Sequence, residues 1–441
     1  MARSGLVEDL DVQVRVDRLG PTATGLAHPT DSRSGTLEVG GVLAGEVARV
    51  RVEHVGRRRA YGRLLEVVKP APDRVEARCS HFLRCGGCQL LHASGAHQRR
   101  LKRGWVAERL GLDRRRVDAV VPAPRDFGYR AFAKLVVGPG GILGSYRPRS
   151  HDVESMDGCR IHAPAIERVA DAMRARFGRD GVPAGLRYVL VRASMAEGAG
   201  LVTLVTAAEA APGLEAVVEL LGQLDVVRAV SQHVNPSEGD ALWGGGPTRL
   251  LLKKGPLVER VGPIVQDLLE GAFSQVNPEA AALLYGHVAS ALHGARRVAD
   301  LYAGSGGVAQ TLLHEGVARV VAVEATPAAA AALDAAAERW RAGERDRLEV
   351  RHGPVEDHLE VLRHVDAAVV NPPRKGLGPE VTAAFAAHGP ERVVYVSCEP
   401  KTLARDLEAL SAAYAIERVT PFDLFPQTRH VETVVTATRS S

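Results

Sequence analysis

The spacing of apolar positions divides the chain into three differently patterned stretches. From Asp11 to Val68 apolar and polar residues alternate in VQVRV, TLEV, GEVARVRVEHV and GRLLEVV, with breaks at Gly20, Gly25, Gly40, Gly41 and Gly62. Period-two runs closed by glycine turns predict short strands of a small antiparallel barrel. Between residues 129 and 260, strands such as AKLVVG and LVTLVTA mix with helices such as IERVADAMRARF and LEAVVELLGQL, an α+β pattern without a catalytic constellation of its own. After Gly271 strands and helices alternate regularly. RVADLY, VVAVEA, DAAVVN, RVVYVS and VETVVTATR are the strands, and Asn277-Pro278 caps and opens the helix EAAALLYGHVASALHGA. That alternation implies an α/β, doubly wound sheet with helices on both faces. The expected domains are 1–70, 71–265 and 266–441, with Pro70-Ala-Pro72 marking the first boundary. Residues 95–112 read as a basic helix whose apolar side is Leu101, Trp105 and Ala107 to Leu110, able to pack on the last domain.

Composition narrows the partners. The 441 residues are 46% hydrophobic, enough for more than one core. The net charge of +4 conceals 22 Lys and Arg against 8 Asp and Glu in residues 51–150, so the remainder is acidic. A basic block in an acidic chain points to a polyanion partner, against the plainer alternative of a solvated arginine-rich surface. No run of about 18 apolar residues occurs, and the N-terminus lacks an apolar signal core. A cytoplasmic monomer with no membrane partner is expected.

Candidate chemistry lies in two places. Gly304-Ser305-Gly306-Gly307 follows a strand and would serve any Rossmann-like nucleotide site. Glu324, 20 positions after Gly304, closes the next strand, where a carboxylate can bond ribose hydroxyls. Without a third fingerprint glycine there is no obvious pyrophosphate cradle, so S-adenosyl-L-methionine fits better than a dinucleotide. Asn371 precedes a rigid Pro-Pro turn, and Cys398 follows a later strand, so thiol and cofactor would share the carboxyl edge of the sheet. The second place is Cys79, Cys85, Cys88 and Cys159, four thiols in a chain without an export signal. Four thiolates suit a tetrahedral zinc or a 4Fe-4S cluster. A structural zinc site more commonly shows two C-x2-C pairs, and only one is present, which favours the cluster.

Across nearly its whole length the chain resembles the RNA 5-methyluridine methyltransferases. The resemblance rests on the barrel, C-x5-CGGC-Q with the distant Cys159, YRAFAKL with GSYRPRSHDVESMDGC, FSQVNPE, DLYAGSGG, NPPRKGL, SCEPKTLARDL and FPQTRHVETV, in family order. It implies a TRAM/OB-like barrel, a central iron-sulfur domain and a class I methyltransferase domain. It further implies Cys398 as nucleophile and Glu432 as base, a cofactor pocket lined by Gln275, Tyr302, Gly304, Glu324 and Asn371, and a 4Fe-4S cluster on the four clustered cysteines. The implied substrate is RNA, 23S rRNA in preference to tRNA. Two positions depart from the family pattern: Asn371 stands where Asp is usual, and Gly307 where Asn is frequent.

The chemistry needs these groups. Carbon 5 of uracil is a poor nucleophile until a thiolate adds at carbon 6, and Cys398 must be ionised for this by its surroundings or by substrate binding. A base must then remove the carbon-5 proton. Methylation of an exocyclic amine would favour an aromatic after the prolines, where this chain has Arg374, and a 5-methylcytosine enzyme would carry a second cysteine near that turn. A non-catalytic iron-sulfur RNA-binding protein would not need Cys398 and Glu432.

Overall fold

The computed structural model describes residues 6–31, 33–237, 242–243, 245–338 and 347–440. Strands β1 (Asp11–Leu19), β2 (Thr24–Pro29), β3 (Leu37–Gly40), β4 (Val47–Val55) and β5 (Ala60–Lys69) close into a barrel in the order β1-β2-β3-β5-β4. Alternate residues Val12, Val14, Val16, Val50 and Val52 fill it. β2 also alternates, but its inward positions are Gly25 and Ala27, so the pattern is faint in the sequence. A Cβ on Gly25 would lie 2.5 Å from Val42 and 2.9 Å from Val16. Glu46 anchors the barrel to the next segment, accepting from Arg74 at 2.5 and 2.7 Å and from the Leu43 and Ala71 N–H groups at 2.7 and 3.1 Å.

The basic helix is α1 (Gly95–Leu110), capped by Ser94 and ended by a left-handed Gly111. Its buried face is Gln98, Lys102, Trp105, Val106 and Ala107. The expected apolar side was thus only partly right: Leu101 and Leu110 are half-buried, and two polar residues go inside because the C-terminal segment supplies partners. Lys102 Nζ donates to Asp423 at 2.6 Å and to the Phe425 carbonyl at 3.0 Å, so the buried cation is paired.

The central sheet contains β6 (Phe132–Val137), β7 (Leu143–Tyr146), β8 (Val153–Ser155), β9 (Leu186–Ser194), β10 (Ala199–Thr206), β11 (Val227–Val234) and β12 (Thr248–Lys253). Their order is β12-β11-β10-β9-β6-β7-β8. Helices α2 (Pro164–Asp180) and α3 (Leu214–Gln223) share a core with it. A hairpin, β13 (Val258–Val261) and β14 (Ile264–Asp267), sends Val261 and Ile264 into the next core.

The last unit runs α4 (Pro278–Ala291), β15 (Arg297–Leu301), α5 (Gly307–His314), β16 (Arg319–Glu324), α6 (Pro327–Glu338), β17 (Leu348–His352), β18 (Ala367–Val370), α7 (Pro379–His388), β19 (Arg392–Ser397), α8 (Pro400–Leu410), β20 (Tyr414–Phe422) and β21 (Glu432–Arg439). The sheet order is β17-β16-β15-β18-β19-β21-β20. β15 to β19 pair in parallel, and β21 lies antiparallel between β19 and β20. Strand order reverses between β15 and β18, which opens a crevice at the carboxyl edge. Among the described residues no helix is long and apolar enough to cross a membrane.

Candidate active site

The glycine loop leaves β15 through Tyr302, a non-glycine residue at φ 62°, and continues with Gly304 and Gly306 at φ 57° and 77°. A Cβ on Gly306 would sit 2.0 Å from Leu333, so both space and dihedral require glycine. Glu324, at the end of β16, accepts the Gly304 N–H at 2.8 Å and the Thr326 N–H at 2.6 Å. Asn371 leaves β18 with its N–H on the Leu301 carbonyl at 3.2 Å, immediately before Tyr302. Gln275 lies in a segment tied to the loop from Ser305, whose hydroxyl donates to the Phe273 carbonyl at 2.7 Å. Tyr302, Gly304, Glu324 and Asn371 therefore meet at one sheet edge, and Gln275 lies two residues from the Phe273 carbonyl that Ser305 holds.

Cys398 follows β19 and Glu432 begins β21. Their strands pair Ser397 with Thr433, so Cys398 and Glu432 each stand one residue beyond the last pair of that ladder. Burial, together with the carboxylate of Glu432, pushes the Cys398 thiol up to about 11, against the pull of Arg374. Burial raises Glu432 to about 7, again opposed by Arg374. Arg374 thus stands near both groups. Its loop is pinned by α8: Thr402 Oγ1 donates to the Arg374 carbonyl at 3.1 Å, Arg405 to the Lys375 carbonyl at 2.8 Å, and Asp406 accepts the Leu377 N–H at 2.7 Å. Of the two ways in which the thiol could ionise, its surroundings alone do not supply one, since they hold it protonated.

Cys79, Cys85, Cys88 and Cys159 line one cavity with Phe82, Leu91 and Phe127. All four are partly buried and unoxidised, and the Gly87 N–H donates to Cys85 Sγ at 3.4 Å. Among the described residues no three His, Cys, Asp or Glu side chains converge as a single metal ion needs. The four thiols share the lining of one cavity.

The profile of the tRNA (uracil-5-)-methyltransferase family matches residues 358–440, which include Cys398 and Glu432. Over 426 residues the chain is 34% identical to an uncharacterized RNA methyltransferase of Geobacter sulfurreducens, covering 90% of this chain and 84% of the relative. The chain belongs to the RNA (uracil-5-)-methyltransferase family. A further relative, an uncharacterized RNA methyltransferase of Halalkalibacterium halodurans, is 32% identical and covers 89% of this chain and 90% of its own. The structure of the Pyrococcus abyssi tRNA (uracil-54, C5)-methyltransferase in complex with S-adenosyl-L-homocysteine superposes with a TM-score of 0.79. It covers 97% of this chain and 99% of its own at 23% identity, which establishes the methyltransferase fold.

Membership of this RNA methyltransferase family makes the two departures informative. A Cβ on Gly307 would lie 2.5 to 2.8 Å from the ring and hydroxyl of Tyr285, so here the aromatic side chain fills the space that a residue at 307 would need. Sequence reasoning missed two residues. Asp300 is 1% exposed near the end of β15, and burial raises it to about 7 against the pull of the Ala309 N–H. Its signal was an acid placed just before the glycine loop. Arg374 was noted only for not being aromatic, although a cation beside the Pro-Pro turn faces the thiol.

Proposed function

We propose that this protein transfers a methyl group from S-adenosyl-L-methionine to carbon 5 of one uridine in structured RNA. The observation that supports this reading is the β19–β21 pairing of Ser397 with Thr433, next to which stand the thiol of Cys398 and the carboxyl group of Glu432. Gln275, Tyr302, Gly304, Glu324 and Asn371 hold the methyl donor. The uridine must leave its stack to reach the edge. As the uridine enters, Cys398 gives its proton to water, the sulfur bonds to carbon 6, and the ring electrons move to oxygen 4 as an enolate. Carbon 5 takes the methyl group, and S-adenosyl-L-homocysteine departs. Glu432 then removes the carbon-5 proton, the released electron pair restores the 5,6 double bond, and Cys398 leaves as thiolate. A carboxyl group titrating near 7 is suited to take that proton at neutral pH.

Cys79, Cys85, Cys88 and Cys159 would hold a 4Fe-4S cluster, which suits a single C-x2-C pair joined by two separate cysteines better than zinc does. The group would brace the central domain. The preferred substrate is 23S rRNA. A tRNA substrate is the second reading, supported by the full-length likeness to a tRNA enzyme. Wild type and Cys398→Ala are compared on 5-fluorouridine RNA with S-adenosylmethionine. A denaturation-stable adduct with wild type alone is expected, and equal behaviour of both proteins sinks the reading. Mapping the 5-methyluridine lost from a deletion strain decides between the RNA classes.

A further inference from the structure

The segment that delivers Glu432 to the site is gripped by the loop that carries three of the clustered cysteines. Leu90, two residues after Cys88, donates its N–H to the Gln427 carbonyl at 2.9 Å, and Gln89 Oε1 accepts the Arg429 N–H at 3.2 Å. Gln98 of α1 closes the junction. Its Nε2 reaches the Leu90 and Ala93 carbonyls at 3.1 and 2.9 Å and Gln427 Oε1 at 2.9 Å, while its Oε1 accepts the Gln427 N–H at 2.9 Å. Both glutamines are buried, at 1% and 5% exposure.

The contact falls on a strained point. Gln427 has φ 70°, a left-handed conformation that costs a residue with a side chain about 1–2 kcal/mol. Five residues later the chain reaches Glu432. The same bend is held from Tyr129, whose hydroxyl donates to the Pro426 carbonyl at 2.8 Å, and from Lys102 through the Phe425 carbonyl at 3.0 Å. A buried amide with every polar atom engaged on both sides of a strained bend holds that bend in one state.

We propose that Gln98 is a positioning residue for proton removal: it locks the cysteine loop onto the bend at Gln427 and so fixes Glu432 beside Cys398. This rests on the function proposed above. Cys398 and the cofactor loop are held by β19, α8 and β15, to none of which Gln98 hydrogen-bonds, so addition and methyl transfer survive its loss while elimination slows. The methylated RNA then stays bonded to Cys398.

The test uses full-length protein, ordinary uridine RNA and labelled S-adenosylmethionine, and follows single-turnover label transfer and the denaturation-stable, RNA-linked fraction. Gln98→Leu, matched in size, is expected to raise the labelled adduct about tenfold, with label transfer changed only a few-fold. Gln427→Gly keeps both main-chain hydrogen bonds and removes the strain, and is expected to release product nearly as wild type does. Loss of label transfer and release together in Gln98→Leu, without adduct, overturns the inference and marks the residue as merely structural. Adduct build-up in Gln427→Gly equal to that in Gln98→Leu also overturns it, because the bend would then not be what is held. If wild type gives no adduct on 5-fluorouridine RNA, the parent reading fails as well, and that result is separate from the other two.

Discussion

Two buried glutamates at the same sheet edge have opposite surroundings. Glu324 accepts main-chain N–H groups from Gly304 and Thr326, at 2.8 and 2.6 Å. Glu432 has no hydrogen-bond donor among the described residues, and burial lifts it to about 7. The first is a fixed acceptor that shapes the glycine loop; the second is left free to carry a proton. Burial is similar, at 8% and 4% exposure, so the presence of donors separates the roles.

The comparison is broken most severely at Glu432. Glu432→Gln is expected to lower turnover by about 10²- to 10⁴-fold and to leave methylated RNA on Cys398, as read by denaturing gels. The wild-type rate should rise with pH through about 7, a limb missing from the residual activity of this variant. Stability moves in the opposite direction. A carboxyl group raised on folding binds more protons folded than unfolded, so its contribution is full below about pH 4 and is lost as pH rises through 7. Glu432→Gln should therefore be more stable than wild type above pH 7, by on the order of 2 kcal/mol in urea titrations.

Next comes Glu324→Ala, which orphans two N–H groups. Cofactor affinity by calorimetry should fall about ten- to thirtyfold, while RNA affinity holds. Arg374→Met removes the cation that pulls both Cys398 and Glu432 down. The acid limb of the rate profile should move to higher pH and the rate at pH 7 fall about tenfold; an unmoved limb would show that the guanidinium does not act on the carboxyl group. The smallest effect is expected of Asn371→Asp, a change of about threefold in cofactor affinity with unchanged product chemistry.

Most of the edge was legible because each of its residues follows an apolar strand and precedes a turn: Gly304 after β15, Glu324 ending β16, Asn371 after β18 and Cys398 after β19. Two strands were not. β17 (Leu348–His352) is an edge strand with only its first residue buried, and β20 breaks its alternation with a bulge between Ile416 and Arg418 and with Pro421. The buried Gln98 and Lys102 were hidden for another reason. Their side-chain partners lie 329 and 321 residues away, and no local pattern reports a polar residue satisfied at that distance.

A thiol held near 11 is about one part in ten thousand thiolate at neutral pH. Peroxide and alkylating agents react with the thiolate, so a thiol that burial holds up should be slow to react with them in the protein without RNA.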